Sequence, residues 1–475
     1  MNFMVAQIIL ALYYLRPQDW VPGMSGWNIM KPVTLLGIIA LFNRPAGLDV
    51  RNLFRNPVDW AMLLYGGYIV LSSDSVFDTL KAFYPFIVYF LLTSQGLANE
   101  SELAHYLKLW AILLLILAGL AVASLFGFDL TGGLPMTEIQ KGRLSLGTYM
   151  HSNPNALGHS VAAAIPLVYV FWFSRQPIGS RIFAVLACWL VYFCIEKTES
   201  RGSFVVCAAA MILSFSFGKP KIVQAFVVAL ALITGGSLVA IMPRMAGGLR
   251  SDEGVQGRML AWEQARTSMQ TNRFGAGYEK FTAYIRWREG RFVHIIPKAT
   301  HGSYIKIGAD LGYPGLFFYL LIFAACLRTM TLRIPSSEGD VLRKARDALF
   351  LSLAMAAFSG WMIDRAYHLE FFLLAGAISV YHRLLAQQSE QEILSSTPSD
   401  APPEDGAIAE PILAAAPLTA FGPGLAPHIV LPEAQTKDRV RPFWNRLGLP
   451  EIAAAAAFTY TTVFVWERIL SSFLW

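Results

Sequence analysis

The chain has 475 residues and a formal net charge of +6; 55% of its residues are hydrophobic, 15% are charged, and the mean hydropathy is +0.47. Soluble domains are about 45–50% apolar and about 25% charged, so these values exclude an ordinary soluble fold and indicate a membrane protein. The positive charge does not call for nucleic acid as a partner, because membrane proteins need basic residues in their cytoplasmic loops to orient the helices.

Apolar segments recur along the chain with short polar breaks, beginning with residues 1–15, which lack the basic stretch and cleavage site of a removed signal peptide. The longer segments approach the roughly 20 residues that a helix needs to cross a bilayer. Backbone polar groups in lipid must be paired internally, so these segments are helices. The sequence predicts an all-α fold, a polytopic transmembrane bundle of about 12 helices, at approximately 3–15, 32–43, 58–72, 80–93, 109–126, 155–174, 182–195, 202–217, 222–242, 313–327, 348–362 and 368–384.

Basic residues alternate between the connecting segments as the positive-inside rule requires. With a cytoplasmic N-terminus, the inward connections are those that carry Arg55, Arg175, Lys219 and Arg343. The one large hydrophilic loop, 243–311, then faces outward, since long loops cross the membrane largely regardless of their charge. We therefore expect the chemistry of the protein on the outer face.

The transmembrane domain is predicted to cover residues 1–385. Residues 386–450 are rich in alanine, proline, serine and glutamate, which indicates a flexible cytoplasmic linker. The C-terminal segment 451–475 is apolar over 452–466 and is then interrupted by a Glu-Arg pair. It is either a thirteenth spanning helix or a helix that lies in the membrane interface, and the sequence leaves both open.

Arg201 lies in a Thr-Glu-Ser-Arg-Gly-Ser turn directly before an apolar helix on the outer face. A cation near a helix N-terminus is disfavoured by the helix dipole. An anion held jointly by the arginine and the free backbone N–H groups would remove this conflict. The structural alternative is an interfacial arginine that reaches the lipid headgroups, and it stays open beside the functional one.

Arginine outnumbers lysine in the loop 243–311, where Arg258, Trp262 and Arg266 lie in a stretch with apolar residues at helical spacing. This spacing predicts a short helix with Arg258 in its first turn. A solvated basic face is the ordinary meaning of such a run. The planar guanidinium favours instead the bidentate binding of phosphate, so Arg258 and Arg266 are candidate ligands of a phosphate-bearing substrate.

His301 lies near the end of the loop, ahead of a Gly312–Gly315 turn signal that predicts the start of the tenth helix. A lone histidine is usually structural, but an imidazole near arginines at the membrane boundary suits proton transfer at neutral pH. His301 is therefore a candidate general base.

Two asparagines precede the sixth helix on the same outer face. Asn153 comes directly before a proline, as a turn residue does, and Asn155 has the place of an N-cap. Four residues are candidate substrate contacts, namely Asn153, Asn155, Trp262 and Tyr304.

Taken in order, these motifs resemble those of the O-antigen ligase and polymerase superfamily of bacterial envelope glycan enzymes, over about residues 140–380. The matching stretches are Gly147–Gly158, the Thr198–Gly202 turn, Gly257-Arg258 followed by Trp262, Phe274–Tyr278, and His301–Tyr304 with Gly312–Gly315. One departure is Gly302, where relatives often carry asparagine, and it affects only a secondary contact.

The resemblance implies a membrane glycosyltransferase of the bacterial inner (cytoplasmic) membrane, with its active site facing the periplasm. The expected donor is a glycan on undecaprenyl diphosphate, and the expected acceptor is a hydroxyl of a glycan or lipid, in lipopolysaccharide, O-antigen or exopolysaccharide biosynthesis. Transfer would be inverting and metal-independent, without a cofactor. Arg201, Arg258 and Arg266 would bind the diphosphate, His301 would accept the proton of the acceptor, and the catalytic residues would be His301, Arg258 and Arg201.

A polymerase that joins lipid-linked repeats is the nearest alternative, since only the acceptor separates it from a ligase. A polysaccharide transporter or flippase is less favoured because mid-helix charges are scarce; Asp364, Arg365 and Glu370 lie near a helix end, where interfacial placement is simpler. A metal site is not expected, because the histidines are scattered and the four cysteines lie within apolar segments.

Overall fold

The computed structural model describes residues 2–24, 26–42, 53–131, 142–148, 150–229, 253–289, 292–332, 339–396 and 446–474, and these are mostly helical. The helices are α1 (Asn2–Leu15), α2 (Pro17–Trp20), α3 (Met30–Phe42), α4 (Pro57–Leu71), α5 (Val76–Gly96), α6 (Glu100–Ser124), α7 (Pro154–Ala162), α8 (Ala164–Val168), α9 (Ile178–Thr198), α10 (Arg201–Ser216), α11 (Glu253–Thr271), α12 (Ser303–Thr331), α13 (Asp340–Ser359), α14 (Leu369–Ser396) and α15 (Leu449–Leu474). A π-helical turn, Tyr169–Phe173, follows α8, and residues 221–229 are also helical.

Seven of the described helical stretches are long and apolar enough to cross a membrane. They are Val76–Gly96, Glu100–Ser124, Pro154–Phe173, Ile178–Thr198, Ser303–Thr331, Leu369–Glu390 and Leu449–Phe473. Three shorter apolar helices are α3, α4 and α10. The chain is thus a helical multi-pass membrane protein, and its total of about 12 or 13 spanning helices stays a prediction.

The loop predicted as 243–311 contains a β-hairpin, so the fold is mostly helical and not all-α as predicted. Strand β1 (Ala283–Glu289) pairs antiparallel with β2 (Phe292–Lys298), with Ala283 opposite Lys298. Alternating aromatic, β-branched and charged residues suit strands, but the helical bias of the remaining chain hides this short pattern. The hairpin packs on α11, because the side chain of Gln264 exchanges hydrogen bonds of 2.7 and 2.9 Å with the backbone of Tyr284.

Helix α12 begins at Ser303 and not near residue 313, so the loop predicted as 243–311 ends at residue 302; residues 243–252 lie outside the described ranges. Gly312, with φ 67° and ψ −164°, interrupts the helix, and Pro314, which has no backbone N–H, follows. The Gly312–Gly315 turn signal is therefore a kink within a helix rather than a helix start.

The kink in α12 is closed by the loop segment that follows α11. The N–H of Gly277 donates to the carbonyl of Asp310 at 2.7 Å. A Cβ at Gly312 would lie 2.1 Å from the carbonyl oxygen of Arg273, and a Cβ at Gly275 would lie 2.2 Å from that of Asp310. Both glycines also have positive φ, so only glycine fits, and this contact fixes the segment after α11 on α12.

The boundaries at the C-terminal end differ from those predicted. Helix α14 continues to Ser396, so the predicted linker 386–450 begins with helix, and its part from 397 to 445 lies outside the described residues. Helix α15 is longer than the predicted apolar segment 452–466 and runs through Glu467 and Arg468.

The bundle has two ends, at which different helices begin and finish. At the end that we call the site end, α12 begins where α13 finishes, and the N–H of Ser303 donates to the carbonyl of Gly360 at 2.7 Å. Helix α14 runs from there to the opposite end, where Arg383 donates to the carbonyls of Ser94, at 2.5 Å, and Leu97 at the finish of α5. The predicted site residues all lie at the site end.

Candidate active site

Arg201 is the first residue of α10, where the sequence places it. Helix α9 ends at Thr198, and Glu199 takes a left-handed conformation (φ 47°) that redirects the chain. Ser200 then caps α10, because its Oγ accepts a hydrogen bond from the N–H of Ser203 at 3.3 Å. This turn puts a cationic residue at the positive end of a helix dipole.

Arg143 holds the turn before Arg201, a role that no sequence motif signals. Its Nε donates to the carbonyl of Thr198 at 2.8 Å, and its Nη2 donates to Oδ1 of Asn155 at 2.8 Å. A cation is favourable at the last carbonyls of a helix. The side chain of Asn155, a candidate substrate contact, is thus bound within the protein.

The N-cap of α7 is Asn153 and not Asn155. Its Oδ1 accepts from the N–H of Asn155 at 2.8 Å, and Pro154 occupies the first helical position. Proline suits that position because the backbone N–H that it lacks has no intrahelical partner there. The predicted cap was wrong by two residues, since the proline starts the helix instead of preceding it.

His159 of α7 belongs to the site, although the sequence motifs do not include it. It is 3% exposed, and its Nδ1 lies 2.8 Å from the Oγ of Ser359 at the end of α13. A Cβ at Gly202 would lie 3.3 Å from the Nε2 of His159, so this glycine lets the imidazole approach α10. The signal that could have found it is an ionisable residue within an apolar helix.

The position of His159 also connects the bundle with α11 and the segment before α12. The imidazole lies within electrostatic reach of Arg365, Arg258 and His301. These groups come from α7, from the turn after α13, from α11 and from the segment before α12. The fold thus brings elements that are distant in sequence around one space, with Arg201 next to Gly202 at its edge.

His301 lies directly before α12, with its backbone in the left-handed region (φ 50°), which histidine adopts more readily than most residues. Burial, and after it the positive charges of Arg258 and Lys298, lower the pKa of His301 to about 4. The imidazole is therefore neutral at pH 7 and can accept a proton. The effect of Arg258 on this pKa shows that Arg258 and His301, two residues that the sequence singles out, lie within electrostatic reach of each other.

Arg258 lies in the second turn of α11, not in the first, because the helix begins already at Glu253. The helix is anchored beside the histidine segment by Trp262, which is 4% exposed and donates from Nε1 to the carbonyl of Thr300 at 2.6 Å. Tyr304 is equally buried and donates to the carbonyl of Ala357 at 2.6 Å. Both candidate substrate contacts thus have their polar atoms bound to backbone carbonyls.

Arg266 differs from Arg201 and Arg258 because it pairs with a carboxylate of another helix. Its Nε lies 3.3 Å from Oε1 of Glu467 in α15, and both side chains are about two-fifths exposed, at 39% and 43%. The predicted third diphosphate ligand is thus an ion-pair partner between α11 and α15.

Arg365 and Glu370 are largely buried and are paired with each other within the protein, and their interfacial depth stays a prediction. Their side chains are 12% and 18% exposed and form an ion pair. Nη2 of Arg365 also donates to the carbonyl of Ala156 at 2.6 Å and to Oγ of Ser160 at 2.8 Å, and its N–H donates to Oγ of Ser303 at 2.9 Å. Arg365 thereby joins α7 to the histidine segment, a pairing across about 200 residues that no local pattern signals.

A partly open cavity leads from these groups into the bundle, and its empty space, which includes open solvent, is about 830 Å³. Its polar end is formed by His159, Ser359, Arg365 and Glu370. The other lining side chains are largely apolar, among them Leu107, Leu167, Phe323, Met355 and Leu374. A polar end joined to an apolar interior suits an amphipathic ligand.

Metal-ligating residues are not clustered in the described part of the chain, where no group of three or more histidines, cysteines, aspartates or glutamates could hold a metal ion. The four cysteines are buried and free. The ionisable groups gathered at the site are arginines and histidines with the Arg365–Glu370 pair.

Residues 186–320 match the model of the family described as O-Antigen ligase. The matched segment contains Arg201, Arg258 and His301, whereas His159 and Arg365 lie outside it. No curated protein matches the chain. Residues 186–320 are therefore similar to the O-antigen ligase family, and the predicted resemblance to the O-antigen ligase superfamily is confirmed.

Proposed function

We propose that the protein transfers a glycan from an undecaprenyl diphosphate carrier to a hydroxyl acceptor on the periplasmic face of the bacterial inner membrane. The observation that carries this proposal is the position of a partly buried His301 within electrostatic reach of Arg258, in the segment that matches the O-antigen ligase family. A base beside a fixed cation is the arrangement that glycosyl transfer from a diphosphate requires.

In the proposed reaction, the acceptor oxygen attacks the anomeric carbon from the side opposite the diphosphate. The new carbon–oxygen bond forms as the bond to the diphosphate oxygen breaks, so the configuration at that carbon is inverted. His301 takes the proton of the acceptor hydroxyl, and the bond electrons leave with the diphosphate. The diphosphate leaving group supplies the energy of the reaction, since the donor is already activated.

The arginines have a defined task in this scheme. Negative charge builds on the diphosphate as the sugar bond breaks, and Arg201 and Arg258 stabilise it in a partly buried site, where such charges interact more strongly than in water. The same anion offsets the charge of Arg258 on His301 and raises the pKa of that imidazole from about 4. Donor binding thereby makes His301 a stronger base when the acceptor arrives.

The cavity offers a place for the lipid part of the donor. Its polar end lies beside His159 and Arg365, and its apolar walls include Leu107 and Leu374 of two helices that are long and apolar enough to cross a membrane. A polyprenyl chain in this space would bring its diphosphate to the boundary between bundle and outer loop. This placement supports a lipid-linked donor.

The decisive experiment replaces Arg201, Arg258 and His301 singly with alanine in cells whose surface glycan depends on this protein. We expect each variant to be inserted at normal levels and to lose glycan display. Arg286, which is exposed on β1, supplies a matched control, and Arg286→Ala should keep display. Unchanged display in all three site variants would defeat the assignment.

The acceptor is distinguished by glycan length in cells that lack the protein. Long chains left on the lipid carrier indicate a ligase that normally moves them to a terminal acceptor. Single repeats attached to the terminal acceptor indicate instead a polymerase that joins lipid-linked repeats. The residue roles proposed above are the same in both cases.

A further inference from the structure

Helix α15 lies antiparallel to α12 along most of its length. Near its start, Glu451 forms an ion pair with Arg328, close to the end of α12 at Thr331. Near its finish, the Trp466 ring lies against Gly308 at the beginning of α12, where a Cβ would be 3.2 Å from the indole. The two ends of α15 therefore lie at the two ends of a spanning helix.

The faces of α15 also suit a helix that crosses the membrane. One stripe is buried against the protein, and it comprises Glu451, Ala455, Thr462, Trp466 and Leu470. The other face exposes apolar side chains, with Ile452 at 44%, Tyr460 at 74% and Phe464 at 46%. A helix that lies in the interface presents a charged face to water, whereas this one has apolar residues on its open side.

The outer end of α15 contacts the helix that carries Arg258. Trp466, fully buried, packs in one cluster with Trp262 and Met269 of α11. Glu467 pairs with Arg266 one helical turn beyond Trp262. Helix α11 is thus held between α12 on one side and α15 on the other.

We propose that α15 is a membrane-spanning helix whose outer end positions α11, and with it Arg258, for glycan transfer. Trp466 and Glu467 are the positioning residues; they act through α11 and touch no substrate. The O-antigen ligase match ends at residue 320, so this assigns a role in the reaction to a helix outside the matched domain. The role in transfer rests on the proposed function, whereas the spanning topology does not.

The topology is tested with single cysteines at two exposed positions, Arg446→Cys before α15 and Ser471→Cys near its end. The four native cysteines are buried, so a membrane-impermeant maleimide reports the new ones. We expect Ser471→Cys to be labelled in intact spheroplasts and Arg446→Cys only after the membrane is opened. Labelling of both positions from the same side would overturn the proposal.

The positioning role is tested in the full-length, reconstituted protein by steady-state transfer. Trp466→Ala should lower kcat by about tenfold with a much smaller change in the donor KM, because misplaced catalytic groups cost rate at a given occupancy. Trp466→Phe, which keeps an aromatic ring against Gly308, should recover most of the rate. Equal kcat in the alanine variant and the wild type would contradict the role.

A charge exchange separates positioning from folding. Glu467→Arg alone faces Arg266 with a like charge and should lower kcat by about threefold to fivefold, as befits an exposed pair. Adding Arg266→Glu should restore the rate, and Arg468→Glu, on the neighbouring position, should leave it unchanged. If the double variant, Glu467→Arg with Arg266→Glu, has the same low kcat as Glu467→Arg alone, the positioning role is contradicted.

Arg258→Ala in the same assay keeps the two proposals apart. If Arg258→Ala is inactive while the Trp466 and Glu467 variants have wild-type kcat, the positioning role fails and the proposed function stands. If Arg258→Ala itself transfers glycan at the full rate, the proposed function fails.

Discussion

Arginines at the two ends of the bundle occupy opposite ends of helices. At the opposite end, Arg383 donates to the carbonyls of Ser94 and Leu97, where α5 finishes. At the site end, Arg201 is the first residue of α10. The helix dipole favours a cation at a C-terminus and disfavours it at an N-terminus, by about 0.3–1 kcal/mol in exposed positions.

The difference separates an arginine whose position the fold explains, Arg383, from one that we propose to bind the diphosphate, Arg201. Arg383 satisfies carbonyls that would otherwise lack partners, so its place is explained by the fold alone. Arg201 stands where backbone N–H groups and the dipole attract an anion, and a diphosphate there turns an unfavourable position into a favourable one. Both kinds of arginine occur close together at the site end. Arg143 donates to the carbonyl of Thr198 at the end of α9, three residues before Arg201 in the sequence.

The largest expected effect contrasts these two arginines directly. Arg201→Ala should lower the rate of transfer by at least about 100-fold, since it removes charge stabilisation in the transition state. Its thermal unfolding in detergent should stay close to that of the wild type. Arg383→Ala should do the reverse, lowering the midpoint of unfolding while folded molecules keep their rate.

The comparison of Arg201 with Arg383 fails if Arg201→Ala loses stability and Arg383→Ala loses the rate of transfer. Loss of folding in Arg201→Ala with an unchanged specific rate would make this arginine structural. Transfer measured per folded molecule, with the fold checked by size-exclusion chromatography, decides between the two.

Backbone contacts should show the same asymmetry between the ends. Gly312→Ala at the site end should cost more than about 2 kcal/mol, because Cβ would meet the carbonyl of Arg273 and φ is positive. Gly37→Ala should cost much less, since its Cβ would meet side-chain atoms and no backbone, namely the end of Leu92 at 2.8 Å and Val5 at 3.1 Å. Unfolding midpoints of the two variants check this, and equal midpoints would contradict it.

Particular residues show how far sequence reasoning reaches. The Arg201 turn and His301 are singled out because each breaks a local rule, a cation before an apolar helix or an ionisable group at the membrane boundary. Arg258 is singled out because its loop favours arginine, whose planar guanidinium suits phosphate. The signal at Gly312 was found but misassigned, because glycine and proline mark a kink as well as a helix start. Local rules describe backbone conformation and do not say what packs against it.

The contacts that complete the site were not predictable from the chain. The Arg365–Glu370 pair binds Ser160 across about 200 residues, and Arg143 binds Asn155 and Thr198 from a segment without a motif. Such partners are set by tertiary packing. The sequence shows that Arg365 and Glu370 lie close to helix ends, but it does not show that they pair with each other and contact α7.

The substitution Arg258→Lys refines the contrast between the ends. Lysine keeps the charge but loses the planar fork that holds two phosphate oxygens, so we expect about a tenfold loss of kcat/KM. Arg383→Lys at the opposite end should leave kcat/KM unchanged. Wild-type kcat/KM for Arg258→Lys, measured with a synthetic lipid diphosphate donor, would argue against bidentate recognition.

The smallest expected effect concerns the acid limb of the pH profile. His301 must be neutral to accept a proton, so transfer is lost as pH falls through its pKa, about 4 in the free protein. Lys298→Met removes one of the positive charges that lower this pKa, so the limb of kcat/KM should move to higher pH. An unmoved limb would mean that another group controls it.

The central claim is that Arg201, Arg258 and His301 form one site for glycan transfer from a lipid diphosphate, and a single-turnover experiment tests it most directly. The purified, reconstituted protein is mixed with labelled donor and acceptor, and release of the lipid diphosphate is followed together with product formation. The account predicts that His301→Gln binds the donor normally but releases the diphosphate at least about 100-fold more slowly than the wild type. Release at the wild-type rate by His301→Gln would contradict it.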